Sequence, residues 1–328
     1  MATNSQVSAL SRSELTKARN SAAEYNVAHA FDSPLDLCRC PAVDAVFVSS
    51  PNSAHLSSVM AAIQSGKPVL CEKPMGLNSD ECRRMVDAAG HAKVVLGVAH
   101  IFRFARSTAS LRERVAAGQI GKPVLARSEF SFAGHAHPRR WLTDAAIAGG
   151  GPIADIGVHC VDALRYILDD EITNIAANTV SDAHSGDVEA SAVLSLRFVR
   201  GALGSVLVST RAEYRTPLEI VGEEGVLRAD NAFSVSDQVH IELRKGGKVV
   251  DREVVLNNDA FTCQVDTFSA ALERGVQFPV PGEEGWQNQE VLDAAYRSAR
   301  TGKIETVRIV ERTKTAASYA GNNNYQSL

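Results

Sequence analysis

Two short segments carry residue types suited to proton chemistry. Glu72-Lys73-Pro74 follows directly on Pro68 to Cys71, a run that reads as a β-strand. In open sheets of parallel strands, ligands bind at the C-terminal strand ends. A lysine held there can hydrogen-bond a hydroxyl, and neighbouring positive charge can bring it towards a working pKa. The second segment starts at Gly149-Gly150-Gly151 and carries Asp155, Gly157, His159 and Asp162. In a helix Asp155 and His159 are at i and i+4, on one face. A carboxylate beside an imidazole raises its pKa, fixes its tautomer and makes a proton-transfer dyad. Each segment also has a plainer reading. Lys73 can be a solvated lysine at a strand end, and His159 a satisfied histidine in an apolar core.

A metal centre competes for the same histidine, with His135 and His137 as further ligands, but the usual ligand spacings are absent. The expectation is no metal. The six cysteines form no C-x-x-C and are too few for a disulfide scaffold in 328 residues, so they read as reduced thiols of a cytoplasmic protein. A net charge of −4 with scattered basic residues argues against a nucleic-acid or anionic-membrane partner. No run of 18 apolar residues suggests a membrane span, and the polar Met1 to Gln6 lacks a secretory core.

The elements that position these segments follow from periodicity. Strand candidates at Val7 to Leu10, Val27 to Phe31, Asp44 to Ser50, Pro68 to Cys71 and Val94 to Val98 alternate with single helices at Glu14 to Tyr25, Pro34 to Cys40, Ser53 to Ser65 and Ser79 to Gly90. That rhythm implies a parallel, doubly wound α/β domain over residues 1–100. After it come helices near Ser107 to Ala117, Gly149 to Leu168, Gln264 to Arg274 and Gln287 to Thr301. They frame a strand at Val124 to Phe132 and a nearly all-strand stretch from Ile172 to Leu256. Residues 101–313 therefore read as an α+β domain with a large, mostly antiparallel open sheet. The polar residues 314–328 read as a disordered tail.

Taken in order, Pro51-Asn52-x-x-His55, Glu72-Lys73-Pro74, His100-x-x-Arg103-Phe104 and Asp155-x-Gly157-x-His159-x-x-Asp162 resemble the glucose-fructose oxidoreductase and inositol dehydrogenase family. The match runs from about Val7 to Val307. The resemblance implies a Rossmann domain, then a substrate domain whose sheet makes homo-oligomer contacts. It implies hydride transfer between a nicotinamide and the carbon of a sugar or polyol hydroxyl. Lys73 would bridge cofactor and substrate, His159 would be the acid/base, and Asp155 would orient His159 or bind a second hydroxyl. Asn52 and His55 would line the nicotinamide side, with Ser50 and Glu72 in the same cofactor-binding set. Arg103 and Trp141 would support the substrate, although Arg103 equally suits a structural ion pair. The loop from Phe132 to Asp144 would border the pocket. A Trp face suits a pyranose ring, which leans towards an aldose.

A Rossmann domain opens with a strand and a G-x-G-x-x-G turn whose backbone N–H groups cradle pyrophosphate. No such motif occurs in this sequence. Val7 to Leu10 corresponds to the family's second strand, so the expectation is that one βα unit, roughly thirty residues, is missing. The neighbouring strands would then lie open or pair directly. The chain reads as a truncated form of an active enzyme, or as a non-redox member that keeps the sugar pocket and oligomer interface. At the end of the first strand, where an acidic residue selects NAD, stand Ser11-Arg12-Ser13. Ser11 and Arg12 suit a 2′-phosphate and hence NADP, with NAD the alternative. Ser11 or Ser13 also suits a helix N-cap.

Overall fold

A computed structural model describes residues 2–134 and 139–311. His135, His137 and the tail 314–328 lie outside them. The first region alternates strand and helix: β1 (Ala9–Ser11), α1 (Leu15–Glu24), β2 (His29–Phe31), α2 (Pro34–Arg39), β3 (Val46–Val48), α3 (His55–Gln64), β4 (Val69–Glu72), α4 (Ser79–Ala92) and β5 (Leu96–Ala99). Local chemistry sets α4 well: the Asn78 side chain caps Glu81 N–H at 3.0 Å, and Asp80 and Glu81 face the positive end of the helix dipole.

The strands are parallel but form two sheets, β1-β2 and β3-β4-β5. Among the described residues β1 pairs only with β2 and β3 only with β4. Direct closure of the gap, which the sequence allowed, does not occur. Phe47 on β3 stays 50% exposed, marking the uncovered side of the sheet.

The second region comprises α5 (Arg106–Ala116), β6 (Pro123–Ala133), α6 (Ala145–Ala148), α7 (Val158–Leu168), β7 (Ile172–Val180), β8 (Ser191–Phe198), β9 (Leu203–Ser209), β10 (Arg211–Arg215), β11 (Leu218–Gly222), β12 (Val226–Asp230), β13 (Gln238–Lys245), β14 (Lys248–Leu256), α8 (Ala260–Arg274), α9 (Gly282–Thr301) and β15 (Glu305–Thr306). Its sheet runs β14-β13-β12-β11-β6-β9-β8-β7-β15, with β10 beside β6. Only the β6–β9 pair is parallel, so the sheet is mostly antiparallel as read from the sequence. Ala192, Leu194, Leu196 and Phe198 bury one face of β8 against the helices, whereas Val193 is exposed on the other.

A division at residue 100 does not separate the cores. Phe268 and Ala271 from α8, with Phe278 and Val280, pack into the core of β3, β4 and β5. The chain returns because that parallel sheet must be covered by apolar side chains. No helix among the described residues is long and apolar enough to cross a membrane.

Candidate active site

Lys73 leaves the end of β4 through a cis Lys73–Pro74 peptide. Opposite it, Ile153–Gly157 form a single π-helical turn before α7, so the segment is not the regular α-helix expected from its sequence. The two segments meet. Lys73 Nζ donates to the Asp155 carbonyl at 2.6 Å and to Asp155 Oδ1 at 3.1 Å. Both side chains are nearly enclosed. Next to the lysine, burial pushes the Glu72 carboxyl above the usual range, with the Lys73 charge opposing, and Glu72 accepts the Lys73 N–H at 3.1 Å.

His159 follows on the first turn of α7, buried edge-on against Phe102 at 4.9 Å between ring centroids, with Phe130 at 6.3 Å on another side. Phe130 in turn stacks on Phe233 at 5.7 Å. Burial, and after it the Lys73 charge, hold the imidazole well below its ordinary pKa. The expected rise from a carboxylate partner is therefore reversed. In a dry aromatic pocket beside an ammonium, the neutral ring is favoured.

The remaining candidates separate. Asn52, in the turn after β3, is buried and its Nδ2 donates to the Ala148 carbonyl at 2.7 Å, tying that strand end to α6. Ser50 Oγ is buried with no hydrogen-bond partner among the described residues. His55 does not line the site. It is fully enclosed, and its ring nitrogens face the Ser50 carbonyl at 2.9 Å and the Pro74 carbonyl at 3.0 Å. Burial lowers its pKa although both carbonyls favour the charged ring. These contacts tie the exit of β3 to the exit of β4.

Arg103 is likewise not a pocket residue. Its guanidinium is buried on Asp162, with Nη2 at 2.6 Å from Oδ1 and Nε at 2.9 Å from Oδ2, and it reaches Glu284 at 2.7 Å. Arg165 bonds Glu284 at 3.2 Å, and Asn288 donates to Asp162 at 2.8 Å and to His100 Nε2 at 2.9 Å. This network joins the end of β5 to α7 and α9. A guanidinium taken out of water must be paired, and Arg103 finds its carboxylates in helices distant in sequence.

Trp141 is half-buried in the turn Arg140–Thr143, with the Arg139 guanidinium 6.0 Å from its ring centroid. Ser11 and Arg12 stand at the exposed end of β1, where Arg12 donates to Ser21 Oγ at 3.0 Å. Neither Ser11 nor Ser13 caps α1, whose N-cap is Glu14 with no side-chain capping bond. Among the described residues no three ligand-type side chains cluster to hold a metal. Sequence reasoning missed the aromatic wall of Phe102, Phe130 and Phe233 around His159. Apolar alternation along β6 was visible, but not which element its inner face would meet.

Family models match two successive stretches of the chain. Residues 1–100 fit an oxidoreductase family with an NAD-binding Rossmann fold, and residues 108–228 fit the GFO/IDH/MocA C-terminal domain. The chain is 31% identical to a 1,5-anhydro-D-fructose reductase of Ensifer adhaerens, over 93% of this chain and 92% of the relative. It is 31% identical to a myo-inositol 2-dehydrogenase of Thermotoga maritima, over 87% and 86% respectively. Among solved structures it superimposes on an aldose-aldose oxidoreductase from Caulobacter crescentus complexed with glycerol. That match has a TM-score of 0.86 at 26% identity, covering 93% of this chain and 92% of the other.

Proposed function

The chain belongs to the GFO/IDH/MocA family of sugar and polyol oxidoreductases, and from that premise we propose that it moves a hydride between NADP(H) and the hydroxyl-bearing carbon of an aldose or related pyranose. The observation that carries the reading is the meeting of Lys73 with Asp155, one turn before a neutral, buried His159. When bound, the nicotinamide accepts or supplies the hydride. The protein's own residues do the rest. Lys73, held by Asp155, presents its ammonium to the substrate oxygen and stabilises negative charge developing there. His159 takes the hydroxyl proton during oxidation and returns it during reduction. The three phenylalanines exclude water from that transfer. Trp141 offers a ring face to the sugar.

The strand ends fit the nicotinamide end of such a cofactor. Ser50 Oγ, buried without a partner among the described residues, offers a hydrogen-bonding group at the C-terminal edge where a ligand belongs. Glu72, Lys73 and the amide of Asn52 would stand around the same end. Ser11 and Arg12 support a 2′-phosphate and hence NADP. The outer face of the large sheet, with Leu125, Val193, Leu203 and Leu207 exposed, supports self-association into a homo-oligomer.

A second reading has its own support. Among the described residues β1 and β3 do not share a sheet, and a form that binds sugar without redox turnover agrees with that arrangement. Titration of the chain with NADPH and NADH, followed by nicotinamide fluorescence, separates the readings. Micromolar binding with turnover of an aldose upholds the dehydrogenase. A folded protein that binds sugar but neither nucleotide upholds the alternative.

A further inference from the structure

Glu189 lies between β7 and β8, outside every motif considered so far, yet its carboxylate is buried on the segment that carries Asp155 and His159. Oε2 accepts the Gly151 N–H at 3.0 Å and Oε1 accepts the Ile153 N–H at 2.9 Å. The phenol of Tyr296, on α9, donates to Oε1 at 3.0 Å. These N–H groups open the π turn and have no acceptor within it, and a carboxylate facing them also meets the positive end of the helix dipole. The next backbone bonds along the turn run from Ala154 and Asp155 N–H to the Gly151 carbonyl. Asp155 then offers its carbonyl and Oδ1 to Lys73.

The glycines agree with this arrangement. Gly150 has φ +154°, and a Cβ there would fall on the Tyr296 hydroxyl. A Cβ on Gly151 would fall on the Glu189 carbonyl. Gly150 and Gly151 are thus needed for the chain to pass between Tyr296 and Glu189. Burial raises the pKa of Glu189, and the three donors oppose it.

We propose that Glu189, braced by Tyr296, is the positioning residue for the reaction assigned above: its two-point grip on Gly151 and Ile153 sets where Asp155 holds Lys73 and where His159 stands. The Glu189 carboxylate acts through the backbone N–H groups of Gly151 and Ile153. The inference rests on the proposed roles of Lys73 and His159, and its test has one arm that needs no turnover.

Glu189→Gln keeps the volume but turns an amide NH2 towards one of the two N–H groups, so one grip is lost. Tyr296→Phe keeps both grips and removes only the brace. The full chain is labelled with 15N-histidine, and the His159 ring signals are assigned by their loss in His159→Asn. Glu189→Gln is expected to move those signals, and Tyr296→Phe to move them less. Where the wild type turns over an aldose, kcat should fall about tenfold to a hundredfold in Glu189→Gln, with KM changed less than about twofold, as a displaced proton-transfer pair predicts. Unchanged His159 signals in Glu189→Gln, or in Tyr296→Phe should the first variant not fold, overturn the proposal. A wild type without turnover sinks the dehydrogenase reading but leaves the histidine spectra to decide this one.

Discussion

Replacing Arg103 by methionine distinguishes a structural from a substrate role. The variant leaves Asp162 and Glu284 without their shared cation while keeping most of the side-chain volume. Breaking a buried pair by removing one partner costs about 3–5 kcal/mol. Two contacts survive, Arg165 on Glu284 at 3.2 Å and Asn288 on Asp162 at 2.8 Å. The loss should therefore lie at the lower end, about 3 kcal/mol. For a chain of 328 residues an unfolding entropy of about 2.1 cal/mol/K per residue makes each kcal/mol worth about 1.5 °C of melting temperature, so a fall of about 4 °C is expected.

The pH dependence has a definite sign. In the wild type Asp162 is held below its ordinary pKa; burial is the largest influence and raises it, but the charge and hydrogen bonds of Arg103, together with His100 and Arg165, outweigh it. Its contribution is present above the unfolded carboxylate pKa and lost as pH falls through the lower folded value. Without Arg103 the same burial raises that pKa, so the variant gains ground as Asp162 protonates. The gap between wild type and variant should shrink from pH 7 to pH 5. Urea melts at the two pH values measure it. A variant with unchanged stability and a raised KM for sugar would refute the reasoning and return Arg103 to the pocket.

Lys73→Met should lower kcat by about 10²- to 10⁴-fold while NADPH titration still reports binding; retention of most of the turnover would remove Lys73 from the chemistry. Because burial and the Lys73 charge hold His159 below its ordinary 6.5, the neutral base persists into mild acid. The acid limb of kcat/KM should fall below pH 6.5 and disappear in His159→Asn. Burial takes His100 down to about 4. A depressed histidine contributes stability above its unfolded pKa, and on the order of 3 kcal/mol should be lost as pH falls from about 6.5 to about 4. His100→Asn should flatten that part of the stability curve in urea melts, and an unchanged curve would show that another group is responsible.

Local chemistry made much of this protein legible without coordinates. Apolar periodicity located α3, α4, β4 and β5 to within a few residues, because a helix or strand half buried in a core repeats its apolar positions at its own period. Glu72-Lys73-Pro74 and the Asp155 to His159 segment could be singled out since strand-end and glycine-flanked positions are local properties. What those residues meet is not local. Arg103 reaches Glu284 across 181 positions, Glu189 reaches Gly151 across 38, and Lys73 reaches Asp155 across 82. No window of sequence reports such pairings. The same holds for burial, which reversed the expected direction of the His159 pKa and enclosed His55. Burial depends on how two sheets and the returning helices α8 and α9 close over a site, and that is decided only when the whole chain is packed.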